Sequence, residues 1–303
     1  MNNIMAYKSN ITYKELCPIM RDLSSIRYSI IKGEALSIAA YNSVGQRTSS
    51  DVDILVPKNE LHIFEDKLKE HGFKTNCSVS TIDQRINHVL MMSCSHQTQP
   101  YYKHKGAFVL NIDLNFDVFW GEYKGKRFDI YDFLSDSIET DIYGVKVKIL
   151  HPLKAMIQLV LHHYKDMNSI FLLATRKSIK YEMFKDVFYL LKNNAQSISI
   201  ENLYNICREY GIIPYTYYIL YYTGLLFEDN FLKQYISAFR TSEGEALLNC
   251  YGLNETERHV WKYDFVTRLE SESLYELIKN DLTDEDIKKI LINKKVFRSE
   301  QYE

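Results

Sequence analysis

Residues 30–56 read IIKGEALSIAAYNSVGQRTSSDVDILV, and the fold turns on how this stretch is parsed. "RYSIIKG" (27–33) has the length and branched content of a short buried strand ending at Gly33, and "EALSIAAY" (34–41) reads as a helix directly after it. A polar loop, "NSVGQRTSS", then leads into a second strand, "DVDILV" (51–56). Side chains alternate across a strand, so Asp51 and Asp53 project to one side and Val52, Ile54 and Val56 to the other. Two readings of the acids are open at this point. Asp at alternate positions is a common guard on a solvent-facing edge strand. Alternatively, two carboxylates set this close repel one another unless a cation lies between them.

Working outward, "KNELHIFEDKLKEHG" (58–72) carries Leu61, Phe64 and Leu68 on one helical stripe closed by Gly72. Three β-type runs follow, "FKTNCSVS" (73–80), "INHVLMMSC" (86–94) and "AFVLNIDLNFDVFW" (107–120), and "IYGVKVKIL" (142–150) reads as part of a hairpin turning at Gly144. In the third run Phe108, Leu110, Ile112, Leu114, Phe116 and Val118 share one face, while Asn111, Asp113, Asn115 and Asp117 share the other. That strand therefore offers a third acid, Asp113, with Asp117 as its competitor. Upstream, Leu16, Ile19, Met20 and Leu23 recur at helical spacing, with Thr12 and Glu15 matching a capping box and Pro18 clouding the start.

Beyond His151 the character changes. "PLKAMIQLVLHHYKDM" (152–167), "YEMFKDVFYLLKNN" (181–194), "IENLYNICREYG" (200–211), "YTYYILYYTGLLF" (215–227) and "ESLYELIKNDL" (272–282) are all of helix length with apolar repeats, and strand alternation is not expected again. The expected division is an α/β domain over residues 1–150 and a helical domain over 151–303.

Composition sets the outer bounds. The 303 residues, 46% hydrophobic and 25% charged with 24 Tyr and 15 Phe, belong to a folded chain. A formal net charge of −2 gives no bulk attraction to polyanions, so nucleic acid is a disfavoured but not excluded partner that would need a local basic patch. The five cysteines lack C-x-x-C pairs and zinc-type spacing, as a reducing compartment permits. With no apolar run approaching the roughly 20 residues of a membrane span and no leader-like N-terminus, a cytoplasmic protein without membrane contact is expected. The tyrosine-rich run at 215–227 reads as a core or interface helix, which leaves an oligomer open.

Three carboxylates on neighbouring strands are what a divalent Mg²⁺ or Mn²⁺ uses while keeping water positions for substrate phosphates. In the two-metal arrangement one ion activates an attacking hydroxyl and the other holds the triphosphate. Gly33, between strand and helix, lets the backbone approach a phosphate favoured by a helix N-terminus; it reads equally well as a plain turn glycine. His162 and His163 are adjacent and diverge by about 100° on a helix, so they do not form a metal pair. "PYYKHKG" (100–106) mixes aromatics with positive charge but reads better as a solvated loop with two half-buried tyrosines.

Lys32-Gly33-x-x-Leu36, then Tyr41, Arg47 and Asp51-Val52-Asp53-Ile54-Leu55-Val56, resembles the signature of an uncharacterised bacterial nucleotidyltransferase family within the polymerase-β-like superfamily. Further on, Asp113-Leu114-Asn115-Phe116 resembles the family's later acidic strand, "IYGVKV" its hairpin, and Asp186 in "FKDVFYLL" an aspartate in a following helix; the likeness spans roughly residues 26–194. It implies an α+β fold, a polymerase-β-like mixed sheet with flanking helices, followed by a mainly helical C-terminal part. It implies transfer of a nucleoside monophosphate from a nucleoside triphosphate to an unidentified acceptor (small molecule, protein or RNA) with release of pyrophosphate. Asp51, Asp53 and Asp113 become the metal ligands and catalytic set, with Asp113 deprotonating the acceptor. Lys32, Gly33, Arg47 and Ser50 become the nucleotide-binding set. Two departures stand out: Glu34 follows Gly33 where the wider superfamily has Ser or Gly, and Asn115 stands where the family has His. The competing expectation is a non-catalytic nucleotide-binding or protein-interaction module on the same fold.

Overall fold

The computed structural model describes residues 2–47, 49–75, 85, 86, 89, 92, 95–121, 123, 125–175 and 178–298. The chain divides into two compact units, Met1–Gly121 with Phe128–Ala155, and Glu122–Arg127 with Met156–Glu303.

The first unit is built on a mixed sheet. Its strands are β1 (Ser29–Ile31), β2 (Asp51–Leu55), β3 (Lys74–Thr75), β4 (Tyr101–Lys105), β5 (Phe108–Asn115), β6 (Ile138–Ile142) and β7 (Val145–Ile149). Their spatial order is β3-β4-β5-β2-β1-β7-β6. β2 lies antiparallel to β1 and parallel to β5, and β1 lies parallel to β7. β2 is thus an interior strand, so the edge-guard reading of its aspartates does not apply. Helices α1 (Asn2–Asp22), α2 (Gly33–Tyr41) and α3 (Leu61–Glu70) flank the sheet. Val52, Ile54 and Val56 join Leu110, Ile112 and Leu114 beneath Leu16, Ile19 and Met20 of α1 and Leu61, Phe64 and Leu68 of α3 in one buried cluster. Each such side chain contributes about 1.5–3 kcal/mol on burial, which fixes the strand register and hence which face receives the acids.

Several expectations needed correction. α1 begins at Asn2, well before the expected start, and runs through Pro18. Thr12 does not cap it: its hydroxyl donates to Lys8 O at 2.9 Å, one turn back. Ile4 and Tyr7 in the first turns are 65% and 61% exposed, so no apolar stripe announced them. β5 stops at Asn115 rather than running to Trp120, because Asp117 Oδ1 accepts from Val118 N (2.8 Å) and Phe119 N (3.0 Å) and turns the chain. "PYYKHKG" is not a loop but forms β4, with Tyr101 buried and Lys103 and Lys105 ion-paired to Glu15 at 2.6 and 2.7 Å. The strand expected over 73–80 is described only at Lys74–Thr75, and the rest lies outside the described residues. Most of 86–94 lies outside them too, and its described members Ile86, Val89 and Met92 are helical. Ile86, Val89 and Leu90 stand at helical spacing, which a strand reading overlooks. The β6–β7 hairpin turns at Tyr143 (φ 55°) and Gly144 (φ 81°), the double left-handed pair of a tight two-residue turn.

The second unit is helical. The tyrosine-rich helix Ile213–Leu226 is apolar on all sides, burying Tyr217, Tyr218, Ile219, Leu220 and Tyr222, which is the pattern of a core helix. Its rings pack on Tyr164 (Tyr218, centroids 5.2 Å) and Phe265 (Tyr222, 4.3 Å). Contrary to the all-helix expectation, Cys250–Tyr251 and His259–Val260 pair as a small antiparallel ribbon, too short to show alternation. His162 lies 3.4 Å from Asp166, one turn along its helix.

Candidate active site

The β1–α2 turn is unusual. Lys32 adopts φ 60° and ψ −161°, followed by Gly33 at φ 43°. The Lys32 conformation belongs to a region that glycine alone occupies readily, and holding a side chain there costs about 1–3 kcal/mol. Its carbonyl accepts the first helical bond of α2, from Leu36 N at 3.0 Å. A Cβ on Gly33 would sit 3.2 Å from Ser49 Cβ, so the glycine permits the loop before β2 to close on the turn.

Glu34, the departure from the superfamily pattern, is 2% exposed. Its Oε2 accepts from Gly45 N and its Oε1 from Tyr143 OH, both at 2.7 Å. One turn later Ser37 Oγ donates to Ser43 O (2.6 Å) and accepts from Gln46 N (2.9 Å) and Arg47 N (3.1 Å). α2 therefore pins the loop that carries Arg47 into β2. A serine after Gly33 is too short to reach Gly45 in this way, which gives the Gly33-Glu34 sequence a structural reason.

In the parallel β2–β5 ladder Asp53 is the register partner of Asp113, and Asp51 of Asn111. The acids share the face opposite the apolar cluster. Asp53 is 6% exposed, and its Oδ1 receives Lys32 Nζ at 2.8 Å and Asn115 Nδ2 at 3.3 Å. Asp51 accepts from Ser49 Oγ. Asp113 is half-buried, and among the described residues no donor is hydrogen-bonded to its carboxylate. Burial, reinforced by the charges of Asp53 and Asp51 and opposed by Lys32, pushes its pKa up to about 7. That value suits a proton acceptor working near neutrality.

The structure therefore brings together Lys32, Asp53 and Asp113, with Asp51 on the same strand face and Gly33 in the turn beneath. Ser50 is exposed and offers its carbonyl to Lys8 Nζ at 2.6 Å. Arg47 is half-buried in the pinned loop, held through its backbone N–H. Asp117, off the strand and occupied with turning the backbone, does not share the position of Asp113. Ser49 and Lys8 escaped sequence reading, and Glu34 and Asn115 stood out there only as departures from the family pattern. Desolvation lowers the Lys8 pKa while Asp51 raises it, which sets Lys8 within the field of that carboxylate.

Three carboxylates without thiol or imidazole are the donor chemistry of a hard divalent ion, so the residue types fit Mg²⁺ or Mn²⁺. Their present disposition is another matter. Among the described residues no three His, Cys, Asp or Glu side chains are grouped so as to close on one ion, and the cation on Asp53 is the Lys32 ammonium.

No curated protein matches the chain in sequence. Among solved structures it is similar to the antibiotic-resistance factor ANT(2'')-Ia, with 11% identity, 69% of this chain and 95% of that chain covered, and a TM-score of 0.37. It is also similar to an antigenic nucleotidyltransferase-like protein from Paracoccidioides brasiliensis, with 17% identity, 65% and 88% covered, and a TM-score of 0.30. The family model described as "Uncharacterised nucleotidyltransferase" matches residues 4–228, which include all of the acids and the turn described above, and the chain belongs to that nucleotidyltransferase family.

Proposed function

We propose that the chain is a metal-dependent nucleotidyltransferase that moves a nucleoside monophosphate from a nucleoside triphosphate to an acceptor nucleophile and releases pyrophosphate. The observation that carries this reading is the pairing of Asp53 with Asp113 across the parallel β2–β5 ladder, with Asp51 on the same face. Asp51, Asp53 and Asp113 would hold Mg²⁺ or Mn²⁺, which when bound would polarise the α-phosphate and neutralise charge on the departing pyrophosphate. Asp113 would take the proton from the acceptor hydroxyl as it attacks phosphorus in line. The strained Lys32-Gly33 turn and the N-terminus of α2 present backbone N–H groups and an ammonium to the triphosphate. Arg47, on a loop fixed by Glu34 and Ser37, would add a guanidinium, with Ser50 as a further nucleotide contact.

The acceptor is a small molecule, a protein or an RNA, and the near-neutral overall charge favours the first two. No described helix is long and apolar enough to cross a membrane. Residues 1–150 would house the chemistry and 151–303 a helical domain.

The competing reading, a non-catalytic module, draws on one observation: Lys32 already neutralises Asp53. The test incubates the protein with Mg²⁺ and each nucleoside triphosphate in turn, with a cell extract as the source of acceptor, and follows pyrophosphate by mass spectrometry. Release that disappears in Asp53→Asn and Asp113→Asn supports the enzyme. Nucleotide binding by calorimetry without release under any of these conditions supports the module.

A further inference from the structure

The Lys32–Asp53 pair points to a device the family assignment does not include. Asp53 sits on an interior strand and is almost wholly buried, yet its Oδ1 is already engaged by two donors, Lys32 Nζ at 2.8 Å and the Asn115 amide at 3.3 Å. Lys32 reaches it from a backbone conformation that a residue with a side chain rarely adopts. The first helical bond of α2 and the closure of the loop at Gly33 and Ser49 hold that conformation in place. The lysine side chain itself retains 19% exposure. An ammonium is a compact charge on a flexible four-carbon stem, so it can leave Asp53 for solvent or a phosphate oxygen without moving the strained backbone.

We propose that Lys32 is a built-in counter-cation that holds the position of the divalent metal until nucleotide arrives. This rests on the nucleotidyltransferase reading and adds a rule for loading the same site. Without nucleotide, the ammonium neutralises Asp53 and keeps the three carboxylates from gathering around one ion, in accord with the absence of any such grouping among the described residues. When a triphosphate enters, its anionic oxygens compete for the ammonium. Lys32 moves from carboxylate to phosphate, and Asp53 is freed to join Asp51 and Asp113 on the metal. No covalent bond changes; a cation is exchanged at one carboxylate oxygen. The site is thereby protected from idle metal binding, and tight metal binding becomes conditional on the correct co-substrate.

The probe is Mn²⁺ alone, without nucleotide, titrated calorimetrically and by the loss of its free-ion electron paramagnetic resonance signal. Lys32→Met, which keeps length and removes charge, is expected to bind Mn²⁺ at least tenfold more tightly than the unaltered protein. Lys32→Arg, which keeps a cation at the position, is expected to bind no more tightly than the unaltered protein. Asp53→Asn placed in the Lys32→Met background is expected to abolish the gain, which ties it to this carboxylate. Circular dichroism confirms that the variants are folded. Equal or weaker Mn²⁺ binding by folded Lys32→Met overturns the proposal, as does a gain that survives Asp53→Asn. The nucleotidyltransferase reading falls on a different result, failure to release pyrophosphate, so the two can fail separately.

Discussion

Asp113 is a carboxyl that the fold holds at a disadvantage, and Asp113→Asn should therefore stabilise the metal-free protein while removing its proposed chemistry. Its pKa is pushed from the ordinary 3.8 up to about 7 by burial and by the charges of Asp53 and Asp51. Between those two values the folded state binds more protons than the unfolded chain, so stability falls as pH rises from about 4 to about 7 and is level above. A shift of this size corresponds to an upper bound of about 4 kcal/mol. The residual exposure of the carboxyl screens part of it, so ~2 kcal/mol is the expected gain for Asp113→Asn at pH 8. At pH 4, where Asp113 is protonated in the folded state and only partly ionised in the unfolded chain, most of the gain should be gone. For a unit of this size the pH 8 gain is a rise of about 4–8 °C in Tm. Thermal and urea unfolding of both proteins in EDTA at pH 4, 6 and 8 measures it. Equal stability of the two proteins at pH 8, or a variant less stable there, would refute the electrostatic account of the site.

Three other perturbations test separate parts of the architecture. Glu34→Ala strips the acceptors from Gly45 N and Tyr143 OH, which should destabilise the first unit by about 2–4 kcal/mol and speed hydrogen exchange of the Gly45–Arg47 amides. Gly33→Ala forces a Cβ into a left-handed position 3.2 Å from Ser49 Cβ; about 1–2 kcal/mol should be lost, with weaker nucleotide binding by calorimetry. Asp117→Ala removes the acceptor for Val118 N and Phe119 N, so about 1 kcal/mol of stability and no pyrophosphate release should be lost; a dead Asp117→Ala enzyme would return the third-acid role to that residue.

Much of the first unit could be read from local pattern. Alternation set Asp51 and Asp53 opposite Val52, Ile54 and Val56, and the core confirms that partition. Gly144 marked the hairpin and Gly72, at φ 80°, the end of α3, because each position demands a left-handed backbone. Less legible were features whose physics is non-local. Glu34 looks like an ordinary first-turn acid, and only its partners at Gly45 and Tyr143, the latter 109 residues away, reveal a buried structural carboxylate. Lys32 and Asp53 are 21 residues apart, and nothing in composition or spacing announces their pairing. The early turns of α1 escaped because Ile4 and Tyr7 face outward. Asp117 illustrates the reverse error: strand alternation was continued through a residue whose short side chain terminates the strand by capturing two backbone N–H groups.

Asp51, Asp53 and Asp113 should gather on a divalent ion once a triphosphate is present. A crystal grown with Mn²⁺ and a non-hydrolysable nucleoside triphosphate, with data collected at the manganese absorption edge, tests it most directly. An anomalous peak between Asp53 and Asp113, with the α-phosphate beside it and Lys32 turned toward the triphosphate, is the predicted result. Bound nucleotide with no anomalous peak at those carboxylates, and Lys32 still on Asp53, would contradict it.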